Sequence, residues 1–442
     1  MHSETIDTNV ISLGPAKIPS PIEARPGEGQ ARSFVADEER ILVDISESDV
    51  TQAVRSGEKP FSFERAGPRR KIYFDPSKLR CAVVSCGGLC PGVNDIIRSV
   101  VLALYHNYGV RHIYGIRYGL QGFIPSYGHE LVDLTPESVS NIHESGGTVL
   151  GTSRGPQDVE SIVDALERMN IRLLFTIGGD GTMVASAKIA DAILERGLKI
   201  GMIGIPKTID NDIFLIDRSF GFDTAVGVAV DVIRSAHNEA TSAPNGIGLV
   251  KLMGRHSGFI AAAATLAMPV VNFVLLPEAD FDLEGPSGFL EALKGRLAHR
   301  EHAVIVVAEG AGQKFFENES KQYDASGNVR LHDIGLFMKG TITDYFAKQE
   351  IEITLKYIDP SYMIRSVPAN TNDDLLCGLL ARAAVHAGMA GKTKTLVALC
   401  NNHFVHIPIE ATVGKRRRLD CSEDLWMSVL ETTGQKPMTC QA

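Results

Sequence analysis

Two stretches of the sequence hold carboxylates and glycines in an order that suits phosphate chemistry. Gly178-Gly179-Asp180-Gly181-Thr182 follows an apolar run and offers one carboxylate among backbone amides. Glycines let backbone approach a phosphate, and a helix opened by Thr182 favours an anion at its N-terminus. Asp180, with no basic neighbour, is suited to hold Mg²⁺ directly or through water. Pro206-Lys207-Thr208-Ile209-Asp210-Asn211-Asp212 closes the next apolar run and adds two more carboxylates. Asp180 and Asp210 stand about 30 residues apart, the length of one strand–helix–strand unit. A right-handed crossover brings both to the carboxyl edge of one sheet, where open α/β sheets bind ligands. Taken singly, the first stretch is also an ordinary strand-to-helix turn, and the second a pair of turn or capping carboxylates. Together they read as one site for moving phosphate.

Further loops could serve the same site. Gly87-Gly88-Leu89-Cys90-Pro91-Gly92-Val93-Asn94 lies between a strand and a helix and is a second phosphate-cradle candidate, although a bare glycine pair is a weak motif. Residues 146–154 are glycine-rich and end in Arg154, either a polyphosphate contact or a surface cation. Lys251-Leu252-Met253-Gly254-Arg255-His256-Ser257-Gly258 aims Arg255 from a strand end, and His256 beside it reads first as a satisfied histidine. Lys356, Tyr362 and Arg365 fall within ten residues, and cations in an acidic protein suit a phosphorylated substrate or a solvated rim. Lys415-Arg416-Arg417-Arg418 fits a localisation signal, a nucleotide contact or a charged turn.

The elements that must position these residues alternate. From residue 79, short β-branched runs interleave with helical segments: strands at 81–84, 112–116, 173–177 and 200–205, helices at 94–105, 158–168 and 183–195. A second series has strands at 248–252, 273–276, 303–307 and 352–357, helices at 224–240, 258–267, 287–299 and 335–348, then a helix at 373–390 and a strand at 395–399. This alternation predicts parallel sheets covered by helices on both faces, and hence two Rossmann-like α/β domains facing an active-site cleft. Residues 1–78, interrupted by Pro15, Pro19, Pro21, Pro26, Gly27 and Gly29, read as an N-terminal extension. The domain boundaries expected are 79–221 plus 363–415, and 222–362 plus 416–442.

Composition narrows the function classes. The 442 residues are 22% charged and 44% hydrophobic, as in an ordinary globular protein. A net charge of −9 argues against general nucleic-acid or anionic-membrane binding. No apolar run approaches the roughly 20 residues of a membrane span. Residues 1–8 contain Glu4 and Asp7 and lack an apolar signal region, and the end Cys440-Gln441-Ala442 is no peroxisomal tripeptide. Seven cysteines without paired spacing fit reduced thiols, so a cytoplasmic location is expected.

The combination of residues 178–182, residues 206–212 and Met253-Gly254-Arg255 resembles the phosphofructokinase family, over about 80–419. Residues 356–365 look like the version in plant and trypanosomatid ATP-dependent members, a branch close to the pyrophosphate-dependent enzymes. The resemblance implies phosphoryl transfer to the 1-hydroxyl of fructose 6-phosphate. It makes Asp210 the general base, Asp180 the Mg²⁺ aspartate, and Arg255 with Thr208 the stabilisers of the transferring group. It gives Gly88, Arg154, Gly181 and Thr182 to the nucleotide phosphates. It gives Met253, Gly254, Glu309, Tyr362 and Arg365 to the sugar phosphate, and Lys356 to a neighbouring subunit's site. A homotetramer under allosteric control is implied too, with effectors that the residues do not reveal. Three departures from the short bacterial form stand out: Lys207 replaces a glycine, Arg117 replaces a tyrosine, and Gly246 stands where a neighbour-subunit arginine is usual. Pyrophosphate-dependent enzymes share a lysine at Lys207 but carry aspartate at Gly181, where a carboxylate would crowd a nucleotide's α-phosphate. Gly181 therefore points to ATP, with pyrophosphate the alternative. A nucleotide- or lipid-kinase relation and a catalytically silent sugar-phosphate sensor are the remaining readings.

Overall fold

The computed structural model describes residues 6–22, 34–57, 59–317, 320, 322–323 and 329–438. Residues 1–5, Pro26, Gly27, Gly29 and the 440–442 end, read above from sequence, lie outside them. The chain forms two compact units. The first comprises Met1–Ile209, Ile213–Gly221 and Ser366–Lys415, and the second Asp210–Asp212, Phe222–Arg365 and Arg416–Ala442. Among the described residues no helix is long and apolar enough to cross a membrane.

The first unit is built on a nine-stranded sheet. Its centre is five parallel strands in the order Thr395–Cys400, Gly201–Pro206, Leu173–Gly178, Arg80–Ser85 and His112–Ile116. Leu173–Gly178 and Gly201–Pro206 are buried at every position, as a parallel sheet covered on both faces requires. Helices Val93–Leu102, Val159–Arg168, Asp180–Glu195 and Thr371–Met389 carry the crossovers. Val159–Arg168 begins where the Asp158 carboxylate accepts the Ser161 N–H at 2.8 Å. Ile162, Leu166, Ile189 and Ile193 from two of these helices pack into one core with Val84 and Leu174 of the sheet.

Residues before 79 are more than an appendage. Strands Arg40–Leu42 and Ser62–Arg65 extend the sheet beyond His403–Pro408, with Glu64 opposite His406. Glu64 is buried there and lies 2.8 Å from Arg69, 2.9 Å from Lys392 and 3.0 Å from His406. Burial pushes its pKa up, but the hydrogen bond and charge of His406 with the charge of Lys392 outweigh it and hold the carboxyl at about 2. These strands are too short, and too mixed in polarity, to show a period in sequence.

The second unit holds a four-stranded parallel sheet in the order Phe273–Leu275, His302–Ala308, Gly246–Leu252 and Thr354–Ile358. Helices Phe222–Thr241, Phe259–Ala267, Phe289–Arg300 and Ile334–Lys348 accompany it. Phe281, Phe289 and Phe346 fill the core against Leu249, Ile305 and Val307. All four strands end toward loops that carry charged residues: 253–257, 276–280, 309–310 and 359–365.

Candidate active site

In the first unit, strands Leu173–Gly178 and Gly201–Pro206 run parallel with Pro206 opposite Gly178, and the Lys207 N–H donates to the Gly178 carbonyl at 2.9 Å. The loops that follow these two strands therefore start side by side. Gly179 precedes helix Asp180–Glu195, so Asp180 and not Thr182 is its first residue. Thr182 is buried, its N–H donates to the Gly179 carbonyl at 2.9 Å, and its side chain packs where a Cβ on Gly178 would sit. The face this turn offers is thus Asp180 and Gly181. A Cβ built on Gly181 meets no described atom within 4 Å, and its φ lies outside the left-handed region. Nothing in the fold demands glycine there, although glycine costs a helix roughly 0.5–1 kcal/mol relative to alanine. The open space suits a ligand that must come close.

The other donor-side loops are stitched to this turn through Lys207. Its ammonium donates to the Gly88 carbonyl, and its own carbonyl lies 3.2 Å from a Cβ position on Gly179. The Thr152 hydroxyl donates to the Gly87 carbonyl at 2.7 Å, and the Gly87 N–H donates to the Ser153 carbonyl at 3.3 Å. Arg154 follows at once, exposed, with a guanidinium nitrogen 3.9 Å from a Cβ position on Gly88. Gly88, Arg154, Lys207 and the 178–182 turn therefore form one glycine-lined, cationic group. Thr208 continues from Lys207 and is fixed by the Ser219 hydroxyl, which donates to its carbonyl at 2.5 Å.

A cation with its phosphate fits this donor set. Among the described residues no cluster of three or more His, Cys, Asp or Glu could hold a metal alone. One carboxylate, Asp180, beside backbone that admits phosphate is the arrangement in which Mg²⁺ is held jointly by protein, phosphate oxygens and water.

The second unit centres on Asp210. Its carboxylate accepts the Arg255 backbone N–H at 3.4 Å, and its carbonyl accepts the Ser257 hydroxyl at 3.2 Å. Burial raises its pKa to about 7, helped by the charges of Asp212 and Glu309 and opposed by the Arg255 N–H and the Arg365 charge. Asp212 is buried, lies 2.7 Å from Arg416, and accepts the Arg417 N–H at its carbonyl at 2.9 Å. Arg417 covers the Phe259 ring at 4.8 Å. Two members of the 415–418 run are therefore structural partners of this site, a role that the run of like charges did not disclose. The loop bearing Arg255 turns at Gly254, whose φ is +127° and whose Cβ would fall 2.5 Å from the Ser257 carbonyl oxygen. It closes on the Glu309 loop: the Glu309 N–H donates to Leu252 at 2.9 Å and the Gly310 N–H to Gly254 at 3.1 Å. Burial raises the Glu309 pKa, while Arg365, Lys251 and Arg255 draw it down. Burial, Arg416 and Arg255 push His256 down to about 4, so it is neutral at pH 7 and supplies no acid.

Asp210, Arg255, Glu309 and Arg365 are thus brought together electrostatically. Met253 is buried and can offer a ligand only backbone. Lys356 is exposed on strand Thr354–Ile358, and Tyr362 is 83% exposed on the short helix Ser361–Ser366, so both face outward.

Comparison with known proteins places the whole chain. The family model described as phosphofructokinase matches residues 80–388. The ATP-dependent 6-phosphofructokinase of Borreliella burgdorferi is 49% identical over 98% of both chains. That of Amycolatopsis methanolica is 44% identical over 97% of this chain and 95% of its own. ATP-dependent 6-phosphofructokinase 1 of Arabidopsis thaliana is 48% identical over 86% of this chain and 80% of its own. Among solved structures, a pyrophosphate-dependent phosphofructokinase from Marinobacter aquaeolei matches with a TM-score of 0.66 at 20% identity, over 80% of this chain and 91% of its own, a likeness of fold alone. The chain belongs to the phosphofructokinase family.

Proposed function

We infer that the chain transfers the γ-phosphoryl group of ATP to the 1-hydroxyl of D-fructose 6-phosphate, giving fructose 1,6-bisphosphate and ADP. The observation that carries this reading is Asp210: a carboxylate with its pKa raised to about 7, among Arg255, Arg365 and Glu309, is poised to accept a hydroxyl proton near neutral pH. The names of the full-length relatives supply the donor and acceptor.

Donor-side residues lie in the first unit, where Gly88, Arg154, Gly181 and Thr182 receive the nucleotide phosphates. Thr182, buried and with its N–H bonded to the Gly179 carbonyl, also holds the turn. Asp180 would hold Mg²⁺, which neutralises charge on the phosphates when bound. Apart from Thr208, the acceptor-side residues lie in the second unit. Asp210 takes the proton from the sugar hydroxyl, Arg255 with Thr208 stabilises the transferring group, Met253 and Gly254 line the sugar through backbone, and Glu309 takes a sugar hydroxyl. Arg365 and Tyr362 take the 6-phosphate, and Lys356 reaches a neighbouring copy in a homotetramer. Most of the acceleration comes from positioning and charge neutralisation. We place the enzyme in the cytoplasm on composition. Two plant relatives bear the word chloroplastic in their names.

Lys207 favours one second reading, pyrophosphate as donor, and its contact with the Gly88 carbonyl puts a cation beside the donor loops in either case. Phosphorus NMR of a reaction with ATP and fructose 6-phosphate tests the main reading. ADP and a sugar bisphosphate phosphorylated at C1 are expected. Unchanged substrates would leave a silent sensor instead.

A further inference from the structure

Strand Gly246–Leu252 carries Arg255 just past its end, and it has one charged residue, Lys251. Its side chain is only 11% exposed. A buried ammonium must be matched by carboxylates, and two meet it: Asp333 at 2.9 Å and Asp359 at 2.9 Å. Each of these anchors something else. Asp333 caps helix Ile334–Lys348 by accepting the Leu336 N–H at 3.0 Å. Asp359 accepts the Ser361 N–H at 3.1 Å and the Ser361 hydroxyl at 2.5 Å, which fixes the start of helix Ser361–Ser366. That helix bears Tyr362 and Arg365. The register explains the meeting: Val250 pairs with Ile358, so Asp359 emerges beside Lys251 at the carboxyl end of the sheet.

We propose that Lys251 is a positioning residue for the acceptor side. It ties the helix carrying Arg365 and Tyr362 to the strand that delivers Arg255, and it offsets two carboxylates, of which Asp359 acts on Glu309. Without it, Asp333 and Asp359 are left as an uncompensated pair. Arg365, which acts on Glu309 and sits on the helix that Asp359 anchors, is then drawn toward them and away from the sugar phosphate. The consequence is selective: binding of the phosphorylated sugar suffers, whereas the nucleotide loops of the first unit are untouched.

This rests on the phosphofructokinase reading above, and the test keeps the two apart. Wild-type turnover with ATP and fructose 6-phosphate decides that reading by itself. Steady-state kinetics of Lys251→Met then reads the proposal: KM for fructose 6-phosphate rises about tenfold or more, KM for ATP stays within about twofold, and kcat falls by less than the sugar KM rises. Lys251→Arg, which can bridge two carboxylates, restores most of the sugar KM. Asp359→Asn keeps Lys251 paired with Asp333 and shows the same selective rise in milder form, so the proposal stays testable if Lys251→Met does not fold. In the double variant the two effects are less than additive. An unchanged sugar KM in Lys251→Met or Asp359→Asn overturns the proposal. So does an equal rise in both KM values, which marks general loosening.

Discussion

The Arg416 guanidinium lies 2.7 Å from the Asp212 carboxylate, and Asp212 is among the charges that raise the pKa of Asp210. A residue more than two hundred positions away thereby sets the charge beside the proposed base. Arg416→Met leaves Asp212 buried without that cation. The pKa of Asp210 then rises further, because its ionised form faces more negative charge. The acid limb of the kcat–pH profile moves to higher pH by roughly half to one unit, and turnover at pH 7 falls severalfold. A pH–rate series on both proteins checks it; an acid limb that stays put or moves to lower pH contradicts it.

Asp210→Asn separates catalysis from stability. Turnover falls roughly 10²–10⁴-fold with little change in either KM, since a general base contributes about that much. Stability moves the other way. The folded-state pKa of Asp210 is raised from 3.8 to about 7, so ionisation costs the native state stability. That cost is absent below about pH 4, grows between pH 4 and 7, and is complete above pH 7. Thermal melts should therefore show Asp210→Asn with the higher Tm at pH 8, by about 1 °C for each kcal/mol relieved in a chain of 442 residues, and with no difference at pH 3.5.

Gly181→Asp tests the open space at the donor turn. No described atom lies within 4 Å of the Cβ position, so the variant folds with a Tm no lower than that of the wild type. The new carboxylate repels a nucleotide phosphate, and KM for ATP rises about 10- to 100-fold while KM for fructose 6-phosphate holds. Equal affinity for ATP would remove the case that Gly181 faces the donor.

Gly310→Ala offers the opposite case. Its Cβ would sit 2.0 Å from the Arg255 carbonyl oxygen, a contact that backbone must move to relieve. Melting should report a loss of about 1–3 kcal/mol, and kcat should drop because the Arg255 N–H that reaches Asp210 is displaced. A soluble variant with wild-type kcat speaks against the rigid loop pair.

Much of this architecture is legible before any coordinates. Strand runs such as 112–116 and 173–177 show themselves because parallel strands buried on both faces are continuously apolar. Asp180 and Asp210 stand out as candidates because their spacing equals one crossover, and Gly181 because its residue type has a chemical consequence. What stays hidden depends on contacts distant in sequence. Arg416 sits in a run of four cations, and no local pattern says that it turns inward to Asp212. Lys251 looks like one more strand residue until the register sets Asp359 beside it. Strands Arg40–Leu42 and Ser62–Arg65 exist because a sheet edge was there to receive them, a tertiary cause that short mixed sequences do not advertise. Helix Ser361–Ser366 is equally short, and its exposed Tyr362 could not be told from a buried one by spacing.

The central claim is that this chain moves a phosphoryl group from ATP to fructose 6-phosphate. Steady-state rates with ATP and with pyrophosphate, each varied against saturating fructose 6-phosphate and Mg²⁺, test it most directly. Saturable turnover with ATP and a far lower kcat/KM with pyrophosphate is the expected result. Saturable turnover with pyrophosphate and none with ATP would contradict it.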